Sequence, residues 1–222
     1  ASQTGLYRDD AQQALKSLIA ELAEGTRVNL MAVDLNSVPM TDGFVAPTDE
    51  AMTQAQDKLA QRVPLGSTDM EAMLRMIPKA FSDTDRRQAV VYIGDGMSKA
   101  GALAEGEFAG IMSPLVKQQI SISSFAIGPQ RDVLMLATIA NNTGGMVYVD
   151  SDEQALASRA GQELARAVAS PILWPSKAQM PEEFTAVYPA SVPPLRGDRD
   201  SIVIGTLSAR GDFSIELTAD MA

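Results

Sequence analysis

Apolar positions along this chain switch between two periods, and the switching predicts the order of its elements. Leu15, Leu18, Ile19 and Leu22 share one face of a 3.6-residue repeat and predict a helix over about 5–24. Val28 to Asp34 reads as a strand over about 27–34, followed by a hairpin partner near 38–41 and a helix over about 48–61. Met70, Met73, Leu74 and Ile77 return to the helical repeat and predict a helix over about 69–81. A β-branched and aromatic run then predicts a strand over about 88–94. Next come a helix over about 104–118, a strand over about 120–127 and a helix over about 130–140. A strand over about 146–149 and a helix over about 152–169 complete the series. Strands alternating with helices predict an α/β fold with a Rossmann-like, doubly wound, mostly parallel sheet.

After Pro171 the pattern changes. Pro171, Pro175, Pro181, Pro189, Pro193 and Pro194 crowd a stretch with no helical period, which reads as a Pro-rich linker. Ser201–Leu207 and Phe213–Leu217 read as two strands joined by a short turn at Ala209-Arg210-Gly211-Asp212. The expected organisation is therefore an α/β domain over 1–171 and a linker with a small β appendage over 172–222. Trp174, with Ile172 and Leu173, is expected to pack the linker against a domain surface.

Composition narrows the chemistry. The 222 residues suffice for one ordinary domain with an appendage. With 28 acidic and 18 basic residues the net charge is −10, which disfavours a phosphate backbone as partner. Arg86-Arg87 reads as solvated surface. The absence of His and Cys removes a Ser-His-Asp arrangement, a thiol nucleophile and a conventional zinc site, leaving oxygen ligands for any metal. No run approaches the ~20 apolar residues of a membrane span, and no signal-peptide pattern is present.

Three segments carry candidate chemistry. In Ile93-Gly94-Asp95-Gly96 an acid follows directly on a strand, at the end where open α/β sheets bind ligands. Taken alone, Asp95 is also an ordinary turn acid. Gly66-Ser67-Thr68-Asp69 places Thr68 just before a helix, where Ser67 or Thr68 also serves as an N-cap. Ala1-Ser2-Gln3-Thr4-Gly5 runs into the first helix. Asp34 ends its strand on the side of Asp95 if the two strands are parallel, and reads as a turn or cap acid. Asn141-Asn142-Thr143-Gly144-Gly145 reads as a turn needing positive φ.

In their order, Ala1-Ser2, Gly66-Ser67-Thr68-Asp69 and Ile93-Gly94-Asp95-Gly96 resemble the von Willebrand factor type A domain family over about residues 1–171. In that family an Asp-x-Ser-x-Ser loop, a Thr on a second loop and an Asp on a third form a metal-ion-dependent adhesion site holding Mg²⁺. The resemblance implies that Ser2, Thr68 and Asp95 are metal ligands here. It also implies that the Asp and first Ser of the first loop, with the strand before them, would precede Ala1. An octahedral, oxygen-preferring Mg²⁺ suits two hydroxyls and a carboxylate, and lacking one carboxylate implies weak binding. Without that strand, which is central in the family, apolar faces and backbone edges would be exposed. Tyr188 to Asp198 also resembles, over a short span, the region following the type A domain in inter-α-trypsin-inhibitor heavy-chain-like proteins.

The resemblance implies a non-catalytic module in which a partner's acidic side chain completes the cation's shell. It further implies an extracellular or cell-envelope setting. A metal-free structural scaffold is the alternative, and Mg²⁺-dependent phosphoryl transfer through Asp95 is a third reading. The third lacks a second acid beside Asp95 and any Walker or Gly-x-Gly-x-x-Gly loop. Arg196-Gly197-Asp198 and Arg210-Gly211-Asp212 match an integrin-binding triplet but carry ordinary turn chemistry.

Overall fold

The computed structural model describes residues 5–63, 68–81, 86–98, 105–150 and 156–221. In chain order the elements are α1 (Leu6–Glu21), β1 (Met31–Val33), β2 (Ser37–Pro39), α2 (Glu50–Gln61) and α3 (Met70–Ala80). There follow β3 (Gln88–Gly94), α4 (Glu105–Lys117), β4 (Ile120–Ala126), α5 (Val133–Thr143), β5 (Val147–Val149) and α6 (Leu156–Ala169). The carboxyl-terminal part adds β6 (Ile172–Gln179), β7 (Phe184–Tyr188), β8 (Leu195–Arg196), β9 (Ile204–Leu207) and β10 (Glu216–Met221).

Strands β3, β4 and β5 form a parallel sheet in that order, with β4 buried along its whole length. The pleat of β4 sorts its side chains onto two cores. Ile120, Ile122 and Ala126 join Met73, Leu74 and Ile77 of α3, Ile111 and Leu115 of α4, and Leu136 and Ile139 of α5. Phe125 turns the other way and packs with Ala11, Ala14 and Leu18 of α1 and Ala160 and Leu164 of α6. Helices thus cover both faces, as a parallel sheet requires. On the second face α1 meets α6 so closely that a Cβ on Gly161 would run into the Ala14 carbonyl.

Beside this sheet stands a second one, the antiparallel pair β1–β2, with a further bridge between Val28 and Val45. The strand expected over 27–34 is present only in this broken form, because Leu30 gives its carbonyl to Met40 and its amide to the Thr41 hydroxyl. Among the described residues β1 pairs with β2 alone and β3 with β4 alone.

The carboxyl-terminal strands correct the expected hairpin. Ser201–Leu207 and Phe213–Leu217 do not pair with each other: β9 pairs with β7, and β10, beginning at Glu216, pairs with β6. The stretch read as a Pro-rich linker opens as β6, which accommodates Pro175 beside an irregularity in the β10 pairing. Trp174 on β6 is buried, as expected.

Two smaller corrections concern helix ends. Helix α5 continues through Asn141 and Asn142 to Thr143, and Gly144 supplies the left-handed cap at φ 69°. The N-cap of α3 is Asp69, whose carboxylate accepts from the Ala72 amide at 2.9 Å, in place of Thr68, while Ser67 lies outside the described residues.

Candidate functional site

The carboxyl ends of the strands carry the candidate chemistry. Asp95 follows Gly94, the last residue of β3, and is 5 % exposed. Its Oδ1 accepts from the Met97 amide at 3.0 Å, and its carbonyl accepts from the Asp132 amide at 2.8 Å. These bonds hold the acid in a tight turn wedged under the β4–α5 loop. The turn depends on Gly96, at φ 71°, where a Cβ would lie 2.8 Å from Leu136 Cγ.

Thr68 reaches the same place from the loop before α3. Its backbone forms a parallel bridge with Ser98, three residues after Asp95, and the residue is 5 % exposed. Between them lies Tyr92, whose hydroxyl accepts from the Gly96 amide at 3.3 Å and hydrogen-bonds the Thr68 side chain. Burial pushes the Tyr92 phenol well above its ordinary range, the Asp95 charge raises it further, and it stays neutral. Tyr92 did not stand out in the sequence, where it occupies an ordinary apolar strand position. Its only signal is a hydroxyl near the end of the strand, three residues before the acid.

Asp34 lies at the same end of the molecule. Its carbonyl accepts from the Asp69 amide at 3.0 Å, joining the end of β1 to the loop that carries Thr68. Its carboxylate accepts from the Asn36 amide at 2.9 Å and from Arg62 at 2.6 Å. The expectation of a turn acid is met, and these two donors, the amide first, hold its carboxyl below the ordinary carboxylate range.

The structure thus brings Thr68 and Asp95 together, while Ser2, Ser67 and Gly66 lie outside the described residues. Among the described residues no group of three or more acidic, His or Cys side chains gathers to hold a metal. What converges is one carboxylate and hydroxyls, a hard-oxygen set that suits Mg²⁺ only if water fills most of the shell.

The first Arg-Gly-Asp triplet resolves differently from a recognition loop. The Arg196 side chain is fully buried and forks onto Asp198 at 2.7 and 2.6 Å. Two further donors reach the carbonyls of Gly144 at 2.9 Å and Ala167 at 3.2 Å. This arginine ties the carboxyl-terminal strands to the ends of α5 and α6. The second triplet, Arg210-Gly211-Asp212, is exposed.

A parallel sheet covered on both faces, presenting a carboxylate and a hydroxyl at its carboxyl ends, defines a Rossmann-like scaffold. The family model of the von Willebrand factor type A domain matches residues 1–149, and the chain belongs to that family. Among curated proteins none matches it in sequence. Solved structures share the fold at low identity. A von Willebrand factor type A protein from Catenulispora acidiphila superimposes with a TM-score of 0.67 at 14% identity, covering 96% of this chain. The chain spans 54% of that protein's length. An aerotolerance-related membrane protein from Bacteroides fragilis gives 0.57 at 13% identity, over 72% of this chain and 87% of its own. Proximal thread matrix protein 1 from the mussel byssus, with a zinc-occupied adhesion-site motif, gives 0.54 at 16% identity, over 75% and 44%.

Proposed function

We propose that this chain is a non-catalytic protein-binding module that uses a divalent cation, Mg²⁺ by the chemistry of its donors, at the carboxyl ends of its parallel strands. The supporting observation is the convergence of Thr68 and Asp95, both nearly buried and pinned by the Tyr92 hydroxyl and the Ser98 bridge. In this reading Asp95 and the hydroxyls of Thr68 and Ser2 hold the cation, which when bound supplies an open coordination position for an acidic side chain of a partner protein. The chain's own residues set the geometry: Gly96 and Asp132 fix the Asp95 turn, and Tyr92 orients Thr68. An exposed setting, extracellular or at the cell envelope, accords with the membrane protein and the byssus protein among the structural neighbours. Among the described residues no helix is long and apolar enough to cross a membrane.

The test is thermal unfolding in millimolar Mg²⁺ and in EDTA, with Asp95→Ala and Thr68→Ala beside the wild type. A cation binding only the folded state at ~100 times its dissociation constant adds ~2.7 kcal/mol. The expected result is a Mg²⁺-dependent rise in Tm that both variants lose. Equal melting in the two buffers favours the metal-free scaffold.

A further inference from the structure

The sequence holds two Asp-Gly pairs, Asp42-Gly43 and Asp95-Gly96, and the fold treats them oppositely. Such a pair carries its own chemistry, because the amide nitrogen after the acid can close a five-membered ring on the side-chain carboxyl carbon. Glycine lacks the Cβ that would shield that nitrogen. Whether the ring closes depends on how freely the carboxyl swings over the nitrogen and on whether water reaches the pair. Asp95-Gly96 is held on both counts. Asp95 is nearly buried, its Oδ1 accepts from the Met97 amide at 3.0 Å, and the Gly96 amide donates to the Tyr92 hydroxyl at 3.3 Å.

Asp42-Gly43 forms the tip of the loop that follows β2. The feet of this loop are fixed. The Met40 amide donates to the Leu30 carbonyl at 2.8 Å, the Thr41 hydroxyl accepts from the Leu30 amide at 3.0 Å, and Val45 exchanges two main-chain bonds with Val28. Phe44 packs on Phe81, at the C-cap of α3, with ring centroids 5.6 Å apart. The tip itself is exposed, and among the described residues the Asp42 carboxylate has no hydrogen-bond or ion-pair partner. Gly43 stands at φ 75°, with open space where a Cβ would lie. Exposed loop tips of this kind are where local freedom and chemical processing concentrate.

We propose that Asp42 is a site of spontaneous backbone modification, converted to isoaspartate in the folded protein, while the fold protects Asp95. The Gly43 nitrogen bonds to the Asp42 carboxyl carbon, and its proton leaves with the carboxyl hydroxyl as water, giving a succinimide. A second water adds to the main-chain carbonyl of the ring and breaks its bond to the Gly43 nitrogen. The main chain then runs through the Asp42 side chain, one carbon longer, and a carboxylate hangs from the Asp42 Cα. Water is the only co-reactant. Because Thr41 and Val45 are anchored, the tip absorbs the extra carbon, at the opposite end of α3 from the loop that carries Thr68. The inference stands on the two loops and is independent of the cation.

Incubation of the folded chain in heavy-oxygen water at neutral pH tests it, followed by proteolysis and mass spectrometry of the peptides carrying residues 42 and 95. Each passage through the ring leaves a heavy oxygen, and electron-transfer fragmentation identifies the isoaspartyl linkage. Isoaspartate should accumulate at 42 at least about tenfold faster than at 95, since a locally protected segment must open before it reacts. In guanidinium chloride, where both pairs are free, the two rates should converge. Asp42→Glu, whose longer side chain must close a six-membered ring, should lose the signal at 42 and leave 95 unchanged. No isoaspartate at 42 in the folded chain overturns the proposal, as do equal rates at the two sites in that chain. A difference that persists in guanidinium chloride overturns it in favour of neighbouring sequence as the cause.

Discussion

At the scale of single residues, Arg196 shows how an apparent recognition motif becomes a fastener. All of its donors described here serve the interior of the fold: two reach Asp198 and two reach helix-terminal carbonyls. Replacing it with Ala strands those carbonyls, so Arg196→Ala should cost about 2–4 kcal/mol in urea unfolding. Arg196→Lys should recover only part of this, because an ammonium lacks the planar fork. Asp34 supplies a pH-dependent contribution. Its folded value lies below the ordinary one of 3.8, so the stabilisation is complete above that value and disappears as pH falls through the folded value. Asp34→Asn should therefore cost about 1 kcal/mol at neutral pH, a surface-pair magnitude. The gap between variant and wild type should close once pH falls below the lowered folded value, in acid titration followed by dichroism. A gap that persists at low pH would show that the Asn36 turn, and not the charge, is responsible.

Elements were legible from the sequence where local period and local chemistry decide them. Helices α1, α2, α3, α4 and α6 and strands β3 and β4 follow from repeats of 3.6 or from β-branched runs, and the structure moves their ends by only a few residues. What local signals did not reveal is pairing. The turn chemistry at Ala209–Asp212 suggested a hairpin, but β9 and β10 find partners in β7 and β6, sixteen or more residues away. Likewise, nothing local in Val28–Asp34 disclosed that Thr41 would take the Leu30 amide and break that strand. At the candidate site Asp95 and Thr68 were legible as a carboxylate at a strand end and a hydroxyl before a helix. Tyr92 was not, since its role arises only when Thr68 folds back over it. The approach of α1 to α6 gives the element-scale prediction. A side chain on Gly161 must push α1 outward, so Gly161→Val should lower stability by about 2–3 kcal/mol, as overpacking does. Thermal melts of Gly161→Val and of Arg159→Val, at an exposed position on the same helix, separate close approach from helix propensity, and only the first should melt markedly lower.

For the molecule as a whole, the architecture separates support from chemistry. The parallel sheet, its two helical layers and the Arg196 fastening hold the carboxyl ends of the strands in place, and Asp95, Thr68 and Tyr92 occupy that edge. The central claim is that a divalent cation binds there through oxygen. The most direct measurement is anomalous scattering from a crystal of this chain equilibrated with Mn²⁺, an octahedral oxygen-seeking stand-in for Mg²⁺. The account predicts one strong peak within ligating distance of the Asp95 carboxylate and the Thr68 hydroxyl, absent from crystals of Asp95→Ala. Strong Mn²⁺ peaks elsewhere, with none at Asp95, would contradict it.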